Sequence, residues 1–384
     1  MRKLLIIGIS TMLLITGCWD KVEIDKRIFV TELGLDKFVG EEISPREEEM
    51  FEDIVPDMYL IVFGFPNTGI IAGKDNGEPR FRVASTGKNI YNVINNLTTR
   101  MERDFNFDHT KLIVLGESLA KDEKLMRQVL DAIERSPNIG RRINLMITPG
   151  TAREALNTEV PEQPIIGLYI RDLMAKPTRM ARAPDADLGY ILRTLHESKA
   201  TLAPRLTYSK NGIKVSGAAV FKEYKLVGWL GELETKALMF MLDKVEWAEK
   251  NIIVRGLNLA IAITDSDTKM EINEKDGKLT ASFDIKAEGD IRQHAFQVIG
   301  QTFDEKYLEE VEKEVKKMIS ERIIITFKKI QEEYGADLIQ AGEYLRKHNP
   351  KLWDEVKENW DEVFAHMDIE VNVRIKIRRV GVVK

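Results

Sequence analysis

Hydrophobic and polar residues alternate most regularly near the carboxyl end of the chain. Apolar residues occupy every second position from Ile369 to Ile377, and charged or amide residues fill the positions between them. Successive side chains of a β-strand point to opposite faces, so this pattern predicts a strand over residues 369–378. One face of the strand should be buried and the other should contact water.

Two helices and several strands are predicted before this terminal strand. Apolar residues at three-four spacing favour a long helix that begins after the capping residue Asp304 and extends to Tyr334. Another helix is expected over residues 232–249, and its centre is apolar on every side, which indicates burial. The predicted strands cover residues 215–221, 226–230, 251–264 and 269–287, with Asp276-Gly277 as a hairpin turn.

The first half of the chain alternates strands with helices. Strands are predicted over residues 57–65, 111–116 and 142–148. Helices are predicted over residues 88–101, 119–135 and 149–157, and Ser85 is a candidate cap for the first of them. Such alternation is typical of helices packed in layers on a sheet.

We expect a mixed α+β fold with more than one domain. The length of 384 residues suits two or three domains, and Pro161, Pro164 and the segment 176–187 interrupt the pattern near the middle of the chain. We place an N-terminal mixed α/β domain at residues 18–205. A C-terminal domain at residues 206–384 would contain antiparallel strands, the long helix and the terminal strand.

A short apolar segment follows two basic residues at the amino terminus. Residues 4–15 are apolar except for one glycine and two hydroxyl residues. The segment is shorter than the ~20 residues that cross a bilayer core. It therefore favours a signal peptide over a membrane-spanning helix.

Cys18 is the single cysteine of the chain and ends the segment Ile15-Thr16-Gly17-Cys18. This order of residue types matches a lipobox, in which a diacylglyceryl group is attached to the thiol and the preceding peptide bond is cleaved. We predict that residues 1–17 are a lipoprotein signal peptide and that Cys18 is the lipidation site. An ordinary secretory signal and an uncleaved anchor are the alternatives.

Composition and charge argue against several classes of site. A net charge of −5 argues against a general nucleic-acid-binding protein, which is usually basic. One cysteine permits no intramolecular disulfide, and no two of the five histidines have the spacing of a helical metal motif. Neither a dinucleotide-binding motif nor a serine nucleophile elbow occurs. We therefore expect no cofactor, no metal site and no catalytic residue, with a metal site assembled from residues distant in sequence as the alternative.

Three segments match functional motifs only in part. Residues 69–77 are glycine-rich, but Asp75 stands where a phosphate-binding loop has a magnesium-binding hydroxyl residue, so a surface loop is favoured. Asp108-His109 could contribute to an acid–base pair, although a histidine before a strand more often stabilises a turn by hydrogen bonding. The carboxylates of residues 304–314 and 355–362 are typical of solvated helix faces.

Two further features could contact a partner. A basic loop would suit lipid headgroups or an acidic protein, with a solvated loop as the favoured alternative. Its cations are Arg171, Lys176, Arg179 and Arg182. Trp353 and Trp360 lie seven positions apart on one predicted helical face, where core packing is favoured and a partner contact is the alternative.

Four stretches follow the order and spacing of one known family. They are GCWDKVEIDK at residues 17–26, DHTKLIVLGESLA at 108–120, VSGAAVFKEYKLVGWLGELET at 215–235 and GADLIQAGEYLRKHNPKLW at 335–353. With them the protein resembles the Ger(x)C lipoproteins, the C subunits of spore germinant receptors in endospore-forming bacteria. The run at residues 337–342 and the acidic segment 41–50 depart from the usual form of this family.

The resemblance implies a subunit without enzymatic activity. Such a subunit would work with two integral membrane partners, the A and B subunits, in a receptor that senses nutrient germinants. It would lie on the outer face of the spore inner membrane and contact lipid through the acylated Cys18. Among the residues of the motifs, only Cys18 carries over as a functional position, and no cofactor is implied.

Two other classes of protein are alternatives. A solute-binding lipoprotein of a membrane transporter would share the anchor, but it usually has two similar α/β lobes, and the two halves of this sequence do not repeat each other. An anchored cell-wall or spore-cortex hydrolase would require a pair of catalytic carboxylates, which the sequence does not locate.

Overall fold

The computed structural model describes residues 26–40, 58–71, 76–175, 181–245, 248–275, 277–294 and 304–379. Within these ranges the strands form one eight-stranded, one four-stranded and one two-stranded sheet. Helices pack on the two larger sheets. The mixed α+β fold class predicted from the sequence is therefore confirmed.

The first 230 residues contribute the eight-stranded and two-stranded sheets. Their strands are β1 (Arg27–Phe29), β2 (Glu32–Lys37), β3 (Tyr59–Pro66), β4 (Arg80–Gly87), β5 (Asp104–Asn106), β6 (Leu112–Gly116), β7 (Asn144–Thr148), β8 (Ala200–Ser209), β9 (Gly212–Lys222) and β10 (Lys225–Leu230). The large sheet has the order β10-β9-β8-β7-β6-β2-β3-β4, and β1 pairs in parallel with β5. Strands β2, β6, β7 and β8 run parallel in its centre, and antiparallel strands extend it on both sides.

Helices cover both faces of the eight-stranded sheet. They are α1 (Thr68–Ile71), α2 (Ile90–Thr98), α3 (Glu117–Ala120), α4 (Glu123–Arg135), α5 (Ala152–Asn157), α6 (Ile166–Met174) and α7 (Leu188–Ser198). Ile113 and Leu115 of β6 pack on the side of α2, α4 and α7, whereas Leu112 and Val114 pack on the side of α5 and α6. Burial on both faces explains why β6 is a continuous apolar run.

The helices in this half differ from the prediction at their boundaries. Ser85 lies inside β4, and α2 is capped by Asn89, whose side chain accepts a backbone N–H of the first turn at 2.9 Å. The helix predicted over residues 119–135 is divided into α3 and α4. Asp122 causes the division, because it takes an extended conformation and its carboxylate caps α4.

Residues 232–379 form the second half of the fold. Helix α8 (Glu232–Met241) is followed by β11 (Ala248–Val254), β12 (Leu257–Lys275) and β13 (Lys278–His294). The chain then forms α9 (Glu305–Lys329), a π-helical turn (Ile330–Tyr334), α10 (Ala341–His348), α11 (Pro350–Val356), a 3₁₀ turn (Lys357–Asn359), α12 (Trp360–Ala365) and β14 (Asp368–Arg379). The sheet order is β11-β12-β13-β14, and β14 pairs with β13 in parallel.

The long helix and the terminal strand are confirmed. Asp304 caps α9 by accepting the backbone N–H of Tyr307 at 2.7 Å. In β14, Val373, Ile375 and Ile377 are buried and alternate with exposed residues. The apolar face of this strand packs in the core that α9 covers.

The helix predicted over residues 232–249 is shorter than expected and ends at Met241. Asp243 has a left-handed backbone conformation with φ of 55°, and its carboxylate accepts the backbone N–H of Thr268 at 2.8 Å. This hydrogen bond turns the chain toward β12. The apolar centre of the helix is buried as predicted, from Thr235 to Met241.

Tight turns connect the strands of the second sheet. Gly277 has φ of 76° between β12 and β13, at the predicted hairpin, and Asp276 lies outside the described residues. The prediction of one continuous strand over residues 251–264 was wrong, because Arg255-Gly256 forms another turn and separates β11 from β12. Both residues of that turn have positive φ, which favours a two-residue hairpin loop.

The hairpin of β9 and β10 belongs to both halves of the fold. Ala219 and Phe221 pack in the core of the eight-stranded sheet, whereas Ala218 and Val220 pack in the core that contains α8 and α9. The alternation of side chains along one strand therefore connects two cores.

Candidate functional site

Trp229 on β10 connects two of the four stretches that carry the sequence resemblance and contacts the residue that precedes a third. Its indole N–H donates a hydrogen bond to Oε1 of Glu117 at 3.4 Å, and its main-chain carbonyl accepts one from the Tyr334 hydroxyl at 2.9 Å. Glu117 begins α3, and Tyr334 directly precedes the stretch that starts at Gly335. Segments separated by 112 and 105 positions therefore meet at one residue.

The Glu117 carboxylate is held in place by two donors. The Lys121 ammonium lies 2.7 Å from it, one helical turn away. The hydrogen bond from Lys121 is the largest effect on Glu117 and, together with that from Trp229, holds the pKa of Glu117 below its usual value. The carboxylate that accepts the Trp229 indole is therefore charged at neutral pH.

Gly228 allows Tyr334 to approach the edge of the first sheet. A Cβ atom at Gly228 would lie 2.9 Å from Cζ of the Tyr334 ring, which is too close for real side chains. The Lys329 ammonium lies over the Tyr334 ring, 5.7 Å from the ring centroid, in a cation–π contact. Lys329 in turn forms an ion pair of 2.8 Å with Glu234 on α8.

Asp337 organises the chain after the long helix. Its Oδ1 accepts the N–H of Ala341 at 2.9 Å, and its Oδ2 accepts the N–H of Gly342 at 2.8 Å and the indole N–H of Trp360 at 3.2 Å. Burial raises the pKa of Asp337, and these donors oppose that effect. One buried side chain thus caps α10 and fixes α12 beside it.

Trp353 and Trp360 pack edge to face, with ring centroids 5.4 Å apart. Both rings are partly buried against the core that contains α8 and α9, so the packing role predicted for them is confirmed. They do not share one continuous helix, because the 3₁₀ turn separates α11 from α12. Gly342 leaves room for both indoles, since a Cβ atom there would lie 3.0 Å from each.

Sequence reasoning missed two buried carboxylates on β2. Asp36 accepts the backbone N–H groups of Ala152 and Arg153 at 2.7 and 2.9 Å and caps α5. Glu32 accepts the Thr31 hydroxyl at 2.5 Å and the N–H of Gly167 at 3.2 Å. Burial raises the pKa of both carboxyls. Their partners are distant in sequence, so no local pattern indicates them.

The basic loop predicted from the sequence is divided in the structure. Arg171 on α6 pairs with Asp172 at 2.8 Å, and Arg182 lies 3.5 Å from carboxylates of Glu232 and Glu249. Residues 181 and 183 are buried alanines, so this end of the segment is not a solvated loop. Lys176 and Arg179 lie outside the described residues.

The remaining candidates do not converge on one site. Asp108 is exposed and bonded to Asn106, whereas His109 packs edge to face on Phe29 with centroids 4.9 Å apart. Residues 72–75 of the glycine-rich segment lie outside the described residues. Glu310 pairs with Arg255 at 2.7 Å, so part of the acidic face of α9 is bonded to the second sheet.

Cys18 also lies outside the described residues, so the lipidation site stays a prediction. Over the ranges that the structure describes, no three His, Cys, Asp or Glu side chains are grouped to hold a metal ion. Within the same ranges, no helix is both long and apolar enough to cross a membrane.

Models of two family regions match the chain. The model described as spore germination protein N-terminal domain matches residues 20–208, and the model described as spore germination B3/GerAC like, C-terminal, matches residues 216–381. The chain belongs to the spore germination B3/GerAC-like family. The resemblance to C subunits of germinant receptors is therefore confirmed at the level of the family.

Relatives in the B3/GerAC-like family match nearly the whole chain. Spore germination protein YndF of Bacillus subtilis is 26% identical, over 97% of this chain and 95% of its own. Spore germination protein B3 of the same bacterium is 24% identical, over 97% of this chain and 96% of its own. The crystal structure of the GerBC protein shares the fold, with a TM-score of 0.60, 21% identity, and coverage of 83% of this chain and 93% of that one.

The two B3/GerAC-like regions share one β-sheet. The C-terminal region matches from residue 216, within β9. Strands β9 and β10 nevertheless pair with β8 and complete the eight-stranded sheet. Part of the C-terminal region therefore contributes to the sheet of the N-terminal region.

Proposed function

We propose that the protein is a lipid-anchored, non-enzymatic subunit of a nutrient germinant receptor that acts in spore germination. The observation that carries this proposal is membership of the spore germination family across both matched regions. Relatives named as spore germination proteins cover almost the full chain. The similarity to spore germination proteins therefore extends over the whole chain and is not confined to one region.

The anchor is Cys18 on the outer face of the spore inner membrane. Its position after a short apolar segment and within a lipobox supports this part of the proposal. Each buried methylene contributes about 0.8 kcal/mol, and a single acyl chain binds membranes only reversibly. Two or more chains on Cys18 make the attachment lasting.

The working partners are two integral membrane proteins, the A and B subunits of the receptor. An anchor confines the folded domains near the membrane, so encounters with these subunits occur at a raised effective concentration. The hairpin of β9 and β10 packs in both cores, which makes the two halves one packed unit. Such a unit suits a protein that acts by contact.

Three acidic side chains have structural tasks, which supports a role without catalysis. Asp36 and Asp337 each accept two backbone N–H groups at the start of a helix. Glu117 is bonded to Trp229 and Lys121. Each of these carboxylates therefore has a structural task that accounts for its burial or its charge.

The solute-binding alternative finds less support in the fold. A solute-binding lipoprotein usually has two similar lobes around a cleft, whereas the two large sheets here differ in strand number and order. A thermal-shift screen with amino acids and sugars separates the two functions. A large shift with one ligand would favour the solute-binding class.

Gene deletion tests the proposed function. Spores that lack the protein and its paralogues should fail to germinate in nutrients. The wild-type gene should restore the nutrient response, and a gene with Cys18→Ala should not. Normal nutrient germination of the deletion strain would contradict the proposal.

A further inference from the structure

A cleft with excess positive charge lies between helices α8 and α9 and strands β11, β12 and β13. It encloses about 680 Å³. The charged side chains that line it are Arg182, Lys236, Glu249, Lys250, Arg292 and Arg322. We call it the cationic cleft. Apart from Arg182, these residues come from four separate elements, so no local sequence pattern brings them together.

Three of the five cations in the cationic cleft have carboxylate partners. Lys236 lies 3.1 Å from Glu232, Arg182 lies 3.5 Å from Glu249, and Arg292 lies 3.2 Å from Asp290. Each of these ion pairs balances the positive charge of one cation.

Lys250 and Arg322 are the two cations without such a partner. Among the described residues, neither has a carboxylate oxygen within 4.0 Å. Glu234 attracts Arg322 at longer range, but its carboxylate is already paired with Lys329 at 2.8 Å. Within the part of the chain that the structure describes, these two positive charges are therefore not compensated by an ion pair.

The surroundings of Lys250 make these charges unfavourable in the free protein. Lys250 is partly withdrawn from water, and burial lowers its pKa to about 8. The neighbouring cations Lys236 and Arg322 lower this pKa further, and Glu232 opposes them. A lysine that loses hydration beside two like charges is stabilised when an anion binds.

We propose that the cationic cleft binds the phosphate group of a small molecule or of a lipid headgroup. A phosphate monoester carries a charge of about −1.5 to −2 at pH 7 and three acceptor oxygens, which matches the two uncompensated cations. The planar guanidinium of Arg322 can donate two parallel hydrogen bonds, and the ammonium of Lys250 supplies a compact charge. Leu233 and Met318 give the cleft an apolar wall beside these cations.

Calorimetric titration of the full chain in detergent with methyl phosphate, at pH 7 and constant ionic strength, tests this site. We expect saturable binding that weakens about tenfold or more in Lys250→Met and in Arg322→Gln, since each removes a charge-assisted hydrogen bond. Lys225→Met is the matched control, because Lys225 is exposed on β10 and does not line the cleft. Its affinity for methyl phosphate should stay within about twofold of the wild type.

Limited acetylation of the wild-type protein provides a test that needs no variant. Methyl phosphate should protect Lys250 from acetylation, as measured by mass spectrometry, and should leave Lys225 unprotected. Vesicles that contain phosphatidic acid distinguish the two sources of phosphate. Protection of Lys250 by vesicles as well as by methyl phosphate identifies a headgroup, and protection by methyl phosphate alone identifies a soluble ligand. Equal acetylation of Lys250 with and without both probes, or binding unchanged in Lys250→Met and Arg322→Gln, would overturn the proposal.

Discussion

The hydroxyl of Tyr334 donates a hydrogen bond of 2.9 Å to the main-chain carbonyl of Trp229. Tyr334 ends the π-helical turn after the long helix α9, and Trp229 lies on β10, the edge strand of the eight-stranded sheet. Both residues lie in the C-terminal matched region, and the contact joins the end of the π-helical turn to the edge of the eight-stranded sheet through a main-chain acceptor. It also explains Gly228, because only a residue without a Cβ atom leaves room for the tyrosine ring.

Replacing Gly228 should weaken this junction. Gly228→Ala places a methyl group 2.9 Å from Cζ of Tyr334, so the ring must move and the free energy of unfolding should fall by about 1–3 kcal/mol. Gly140→Ala is the matched control, since a Cβ atom there meets nothing within 4 Å. Urea unfolding of both variants measures the difference. Equal stability of the two variants would contradict the packing described for Tyr334.

Asp337→Asn should be strongly destabilising although the two side chains have the same shape. In the wild type, both carboxylate oxygens accept N–H donors. In the variant, an N–H₂ group replaces one of these oxygens and faces its donors, so at least one buried hydrogen bond is lost. We expect the free energy of unfolding to fall by about 2–3 kcal/mol. Asp361→Asn is the control, because this exposed carboxylate forms a surface ion pair with Lys222, and it should cost less than about 1 kcal/mol.

Thermal unfolding with tryptophan fluorescence reports on the Asp337 variant directly. The indole of Trp360 bonds Asp337 at 3.2 Å, so the emission of the folded state should shift in Asp337→Asn and not in Asp361→Asn. An Asp337→Asn protein as stable as the wild type would show that this carboxylate does not organise α10 and α12.

Glu343 should stabilise the protein above mildly acidic pH and lose this effect in strong acid. Hydrogen bonds from Arg346, and then from Lys347, lower the pKa of Glu343 to about 2 in the folded protein. The unfolded chain has a pKa of about 4.3 for glutamate and binds the proton first as pH falls. The contribution is therefore complete above the unfolded value and disappears as the pH approaches the folded value.

The variant Glu343→Gln measures this contribution. At pH 7 it should lower the free energy of unfolding by about 1 kcal/mol, because both cations remain more than half exposed. The difference from the wild type should shrink steadily between about pH 5 and pH 2. Glu355→Gln, at an exposed glutamate on α11, is the control and should change the free energy of unfolding at pH 7 by less than about 0.5 kcal/mol. A difference for Glu343→Gln that is constant with pH would contradict the assigned role.

Cys18→Ala should release the protein from membranes. Without the thiol no diacylglyceryl group can be attached, so the protein should appear in the soluble fraction after cell disruption and should not incorporate labelled palmitate. Thr16→Ser keeps a small residue before the cleavage position and should leave both measurements unchanged. Retention of Cys18→Ala on membranes after a high-salt wash would contradict the anchor.

Periodic elements were predictable from the sequence. The terminal strand, the long helix α9 and the strand over residues 112–116 each bury a regular set of apolar residues, and such patterns determine which face is covered. Element ends were less predictable because they depend on distant partners. Asp243 ends α8 by bonding Thr268, and Arg255-Gly256 forms a hairpin turn without the usual Asn-Gly or Asp-Gly sequence.

Contacts between residues that are distant in sequence could not be predicted for the same physical reason. Asp36 caps a helix that begins 116 residues later, and Trp229 bonds Glu117 at a separation of 112 positions. A local sequence pattern does not contain such pairs. The cationic cleft combines Lys250 from a strand with Arg322 from a helix, and each residue looks like an ordinary solvated charge in its own element.

Purification of the tagged full-length protein from detergent-solubilised spore inner membranes tests the central claim most directly. Mass spectrometry of the eluate should identify two integral membrane proteins in amounts comparable to the tagged protein, and the Cys18→Ala variant should recover far less of both. Recovery of the wild-type protein from the membrane fraction without integral membrane partners would contradict its assignment as a receptor subunit.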